Sequence, residues 1–208
     1  TVIDIENVNS GFTTHTFTGS GVITIFREEE SDKVLLHELV HLFGLDFSMS
    51  NIDSINNDIM KTFNVNKDIQ YINFFEAFTE SVAVIFNTCF NCIITNSDEH
   101  RYFITELFYM GDTILLILDI FNMENLEDLT KKGNLLIQRT SVLSYYILKY
   151  GLLRNVDKFI QKFLYLKSWN DSDIRGLLKL SKEGLRGDIV NYNLNNGSLR
   201  MTYNDIRY

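Results

Sequence analysis

Proline is absent from this chain, and no Pro/Ser-rich linker or internal repeat divides it. Cysteine is scarce: Cys89 and Cys92, in Cys-Phe-Asn-Cys, are the two present. Two cysteines make no disulfide framework of the kind that staples small secreted domains. A redox CxxC opens a helix after a strand, whereas this pair falls late in an apolar helical run. Two thiolates alone also make a poor metal site, so both read as small, partly buried side chains. Positive charge is in deficit, with 19 Lys and Arg against 27 Asp and Glu and a net charge of −8. That argues against the clustered basic surface that nucleic-acid binding requires and gives no reason to expect attraction to an anionic membrane. A cationic or neutral substrate suits the field better. No run reaches the roughly 18 apolar residues of a membrane span. The longest candidate, Ile114 to Phe121, is short, contains Asp119 and reads as a buried helix. The opening Thr-Val-Ile-Asp-Ile-Glu is unlike a signal peptide, which favours an intracellular protein. The start at Thr1 leaves room for a removed leader or upstream domain.

The 208 residues are enough for one large domain. A chain of this size buries roughly 70% of its unfolded surface and needs no staples. The first part, residues 1–30, is β-rich. Phe12 to Thr18 alternates with Thr, Val22 to Phe26 reads Val-Ile-Thr-Ile-Phe, and Gly19-Ser20-Gly21 between them signals a hairpin turn. From Asp32 the period becomes helical, with Ser31 or Asp32 as N-cap and an end near Gly44. Residues 46–70 read as a polar, Asn-rich loop with room for one short helix. A second strong helix is expected from Asn73 to Cys92. Further helices are expected near 99–110, 112–122, 134–150, 155–167 and 171–183, with no assignment for the last twenty residues. The expected fold class is α+β, mainly α. It is one domain over 1–208, with a β-rich part at 1–30, two site helices within 31–92 and a helical part at 93–208.

The chemistry concentrates in His37-Glu38-Leu39-Val40-His41. Two histidines four apart on a helix share one face, one turn apart, and can bind one zinc at about 2.0–2.1 Å. Glu38, beside the first histidine, is placed to take a proton from an activated water. Val34, Leu35, Leu36, Leu39, Val40, Leu42 and Phe43 make this helix apolar nearly all round. Its histidines and glutamate are therefore costly unless paired or bound to metal. A catalytic zinc needs a third protein ligand. Downstream, Asn73-Phe-Phe-Glu76-Ala-Phe-Thr-Glu80-Ser places Glu76 and Glu80 four apart on another buried helix. The competing reading of Glu76 is a capping box with Asn73, and that of Glu80 an ordinary solvated acid.

HELVHLFG followed by EAFTES resembles the gluzincin metallopeptidases, the group that includes thermolysin and the zinc aminopeptidases. The resemblance covers roughly residues 20–90. It implies a zincin-like catalytic domain, Zn2+ as cofactor, and a peptide or protein substrate. On the matching positions it makes His37, His41 and Glu76 the metal ligands, Glu38 the general base, and Glu80 the acid that orients His37. Glu80 stands where thermolysin-like members have Asp. The 34 residues between His41 and Glu76 are more than that group usually has. A rival resemblance is to the metzincin pattern HExxHxxGxxH. Gly44 fits that pattern, but its ligand position is Phe47, which cannot bind zinc, and Asp46 falls one residue early.

The resemblance also implies a Tyr or His donor to the developing oxyanion from a later segment. Tyr145 and Tyr146 are the candidates chosen among Tyr145, Tyr146, Tyr150, Tyr71 and His100. Arg139 could bind a substrate carboxylate, with a surface salt bridge as its plainer role. The resemblance further implies that the strand from Val22 to Phe26 lines the cleft and pairs with extended substrate. The expected function is a zinc-dependent peptidase. The alternative is a catalytically silent zincin-like module that holds a protein partner.

Overall fold

The computed structural model describes residues 3, 8–15, 20–65, 72–131, 136–166, 168–192 and 199. It is mainly helical with a two-stranded antiparallel sheet, as α+β, mainly α, requires. Strand β1 (Gly11–His15) pairs with β2 (Gly21–Ile25), with Phe12 opposite Thr24 and Thr13 opposite Ile23. The turn residues 16–19 lie outside the described residues, as does the side chain of His15.

The hairpin lies flat on α1 (Ser31–Leu42) because two glycines let it. A Cβ on Gly11 would come within 2.7 Å of Val34 Cγ1, and one on Gly21 within 2.2 Å of Leu42 Cδ1. Phe12, Val22 and Phe26 face outward and remain more than half exposed. Helix α1 is not capped by Ser31 or Asp32. A 3-10 turn at Glu28–Glu30 runs straight into it, so no side-chain cap is made. It ends as expected at Gly44, whose φ is +61°. Gly44 N–H donates to His41 O and Leu45 N–H to Val40 O, both at 3.0 Å, closing the last turn in the left-handed manner only glycine adopts freely.

The loop after α1 contains α2 (Asp53–Thr62), the short helix for which the polar stretch left room. Next, α3 (Phe74–Thr95) packs across α1. The expectation that nothing reaches the length of a membrane span is corrected here, for α3 is long and apolar enough to cross one by length and composition. Glu76 and Glu80 interrupt its apolar sequence, and 67% of the stretch is packed inside the protein. The two helices expected around residue 111 are one, α4 (Glu99–Ile120). Gly111 does not break it but admits the chain near Val190, whose carbonyl oxygen would lie 1.8 Å from a Cβ there.

Residues 136–141 are not helical, contrary to the expected helix over 134–150; residues 132–135 lie outside the described ones. Gln138 bridges to Ile3, and its side-chain oxygen accepts the Leu143 N–H at 2.8 Å. Only then does the helix begin, as a π-helical stretch (Leu143–Leu148) that continues into α5 (Lys149–Leu153). Helix α6 (Val156–Phe159) also runs into π-helical winding, over Ile160–Leu164, and α7 (Asp171–Gly184) follows with an Asn170–Asp173 capping box. One apolar cluster joins these elements, from Ile3 to Leu180.

Candidate metal centre

Helix α1 presents His37 and His41, one turn apart, to the first turns of α3, where Glu76 faces them. The two Nε2 atoms are 3.0 Å apart, and Glu76 Oε2 lies 3.3 Å from His37 Nε2 and 3.4 Å from His41 Nε2. Asn73 makes no side-chain cap, so Glu76 is not the partner of a capping box. His37, Glu38 and Glu76 are between 5% and 9% exposed.

Each imidazole is also held from behind. Glu80 Oε1 lies 2.8 Å from His37 Nδ1, close but off the line of a straight hydrogen bond. His41 Nδ1 meets Asp46 Oδ2. Asp46 reaches it because the Gly44 turn folds the chain back under the helix. Ser48 fixes its other oxygen through N–H (2.9 Å) and Oγ (2.6 Å). Asp46 therefore approaches the histidines from the far side of the ring and not among the three converging atoms. Phe47, the metzincin ligand position, is 1% exposed and packs on Phe74, Phe78 and Trp169.

The donor set itself tests the fit to zinc. With a carboxylate behind each ring, Nδ1 carries the hydrogen and Nε2 offers a lone pair. Glu76 Oε2 adds a third lone pair and has no hydrogen-bond partner among the described residues. Three acceptors aimed at one point, with His41 half-buried and the other two buried, are costly unless a proton or a cation lies between them. Tetrahedral zinc with bonds of 2.0–2.1 Å separates its donors by about 3.3 Å, which the three distances match. Without a metal, protons must serve. Burial works against charged His41, but the carboxylates of Asp46 and Glu76 beside its ring nitrogens outweigh it and push its pKa up to about 10. His37 is raised in the same way by Glu76 and Glu80 against its burial.

Glu38 is reached from β1, where Thr13 Oγ1 donates to Glu38 Oε2 at 2.7 Å. The strand beside Glu38 is thus β1, not the expected β2. Glu38, His37 and Tyr145 line one small cleft of about 20 Å3, together with Ser10, Gly11 and Lys33. A space of roughly 10–15 Å3 already admits one water. The Tyr145 ring centroid lies 6.2 Å from that of His37. Tyr146 is not part of this group, because its hydroxyl donates to Leu199 O at 2.6 Å. Burial, then the Glu80 charge, holds that phenol well above its usual pKa. Tyr150 is engaged by Val190 N–H at 2.9 Å, and Arg139 and His100 are exposed. Tyr71 lies outside the described residues. Cys89 is exposed and Cys92 buried, both as free thiols.

Sequence reasoning passed over Asp46's contact and two lysines. Lys33 and Lys149 are 1% and 0% exposed. Lys33 Nζ donates to Glu80 Oε1 at 2.8 Å and Oε2 at 3.1 Å, and Lys149 Nζ to Oε2 at 3.4 Å. Burial would raise the Glu80 pKa, but Lys33, Lys149 and His37 hold it well below its usual value. One signal was available: Lys149 stands alone in the apolar run Val142 to Leu153, where a cation is costly unless paired. A larger cavity of about 630 Å3 lies elsewhere, between Leu126–Thr130 and residues 182–191, and none of the site residues line it.

Compared with known proteins, the chain is 27% identical over 177 residues to an uncharacterized protein of Acanthamoeba polyphaga mimivirus. The match takes in 77% of this chain and 44% of that protein, so the chain spans less than half of this relative's length. No protein-family model and no solved structure matches the chain.

Proposed function

We propose that this chain is a zinc-dependent hydrolase of peptide bonds with a zincin-type site. The observation that carries the reading is the convergence of His37 Nε2, His41 Nε2 and Glu76 Oε2 at 3.0–3.4 Å, beside an intact Glu38. Those three residues would hold the ion. When bound, zinc supplies Lewis-acid activation of water and of a substrate carbonyl. Glu38 accepts the proton of the attacking water and returns it to the leaving amine. Thr13 keeps one Glu38 oxygen engaged and so fixes the direction of the other. Tyr145, on the cleft wall beside His37, is the residue assigned to steady the developing oxyanion. Glu80 and Asp46 orient the two imidazoles.

One observation favours the second reading, a silent module that holds a protein partner: the cleft beside Glu38, at about 20 Å3, is barely larger than a water. In that reading a partner would be held on the surface around it. The first experiment is metal content. Purified protein should carry one zinc, and His37→Ala and Glu76→Gln should carry none after brief dialysis against a weak chelator. A wild type without zinc affinity removes the hydrolase reading.

A further inference from the structure

Helix α1 and the 143–153 segment both send a lysine to Glu80, and this goes beyond what holding a metal requires. Lys33 lies one turn before His37 on α1 and takes both Glu80 oxygens. Lys149 comes from the opposite side, on the segment that also places Tyr145 beside His37. The winding between these two residues is π-helical over Leu143–Leu148. Such wide turns are uncommon and concentrate at functional sites. Tyr145 and Lys149, four apart and so on one face, address the same neighbourhood: one the His37 ring, the other the carboxylate behind it. Fully buried ammonium groups are expensive to keep, and an apolar side chain of similar volume would serve packing alone at least as well.

We infer that Lys149, with Lys33, is a positioning residue: the two lysines clamp Glu80 so that Glu80 fixes the His37 ring for metal binding. The inference rests on the zinc reading above. The clamp has a structural consequence. Among the described residues, the two Glu80 oxygens have three cationic or N–H neighbours, His37 Nδ1, Lys33 Nζ and Lys149 Nζ. With both lysines in place, neither oxygen can swing away from the ring without breaking a buried ion pair. Without Lys149, Oε2 loses one of its two ammonium neighbours, and Lys33 alone, from the α1 side, opposes rotation of the carboxylate. The late helical segment is thereby tied to the ligand geometry although it carries no ligand.

Cobalt(II) tests this, because its visible spectrum reports the ligand set independently of turnover. Lys149→Met should lower cobalt affinity about 10–100-fold, the loss typical of residues behind a ligating histidine, and alter the visible bands. Glu80→Gln should do the same. The double variant should be no worse than Glu80→Gln alone, since Lys149 acts through Glu80. Additive losses, or unchanged affinity and spectrum in Lys149→Met, would overturn the inference. If Lys149→Met does not fold, wild-type protein decides. The 15N resonance of Lys149 Nζ, assigned through its side-chain carbons, should move on addition of one equivalent of zinc, and no movement overturns the inference. Wild type that binds neither zinc nor cobalt removes the metal reading itself. Wild type that binds both while Lys149 proves indifferent removes only this inference.

Discussion

The Nε2 atoms of His37 and His41 stand 3.0 Å apart, each with a carboxylate at the opposite nitrogen of its ring. Two neutral imidazoles so arranged point lone pairs at each other, and only a shared proton or a metal relieves that. In the proposed zinc reading, the metal competes with the protons that His37 and His41 otherwise hold.

That competition gives a pH prediction with a definite sign. The His41 pKa is raised from 6.5 to about 10 in the metal-free fold. The stability it contributes is therefore complete below pH 6.5 and is lost as pH rises through about 10. The melting temperature of chelator-treated protein should fall between these values, while zinc-loaded protein should not show this loss. Zinc affinity should rise over the same interval, with proton release on binding. Calorimetry with and without chelator measures both, and a metal-free protein whose stability is flat from pH 6.5 to 10 would contradict the assignment.

At the acid end the sign reverses. Burial opposes ionisation of Asp46, but its hydrogen bonds to His41 and Ser48 prevail and lower its pKa below 3.8. Glu80 is likewise held below 4.5 against its burial, by Lys33, Lys149 and His37. Their contribution is present above those ordinary values and is lost as pH falls through the lowered ones. Asp46→Asn and Glu80→Gln should each flatten the acid limb of the unfolding curve.

The carboxylates behind the rings should also tune the metal. Asp46→Ala and Glu80→Ala should each weaken zinc binding by about 10–100-fold, as losses behind a ligating histidine typically do. Glu76→Gln should cost more, since it removes a donor. A competition titration with a chromophoric chelator ranks the three, and equal affinities across the series would remove Glu76 from the ligand set.

How much of this was legible in the sequence depends on the range of each contact. His37 and His41, and Glu76 and Glu80, are pairs four apart within single helices, so helical period alone puts each pair on one face. The hairpin was legible from its alternation and glycines. Asp46 was not, because its contact with His41 depends on the backward turn at Gly44. The lysines were missed because Lys33 and Lys149 meet Glu80 only through packing, across 47 and 69 residues of sequence. Tyr145 and Tyr146 part company because neighbours on a helix point in different directions, one ring toward His37 and the other hydroxyl to Leu199. The apolar length of α3 was missed because charge-free runs were counted, although most of that length is packed inside the protein. The apolar length of α3 includes two acids whose partners lie on α1 and the 143–153 segment.

The most direct test of the central claim is cleavage of a broad peptide library by zinc-loaded wild type and Glu38→Gln, read by mass spectrometry. Glu38 is not a ligand, so the variant should keep its zinc and its fold. Its carboxamide cannot accept a proton, and losing general-base catalysis costs about 10²–10⁴-fold. The account predicts cleavage by wild type and a loss of at least that size in the variant at equal zinc content. It is contradicted if wild type holding one zinc cleaves nothing, or if Glu38→Gln cleaves as fast as wild type.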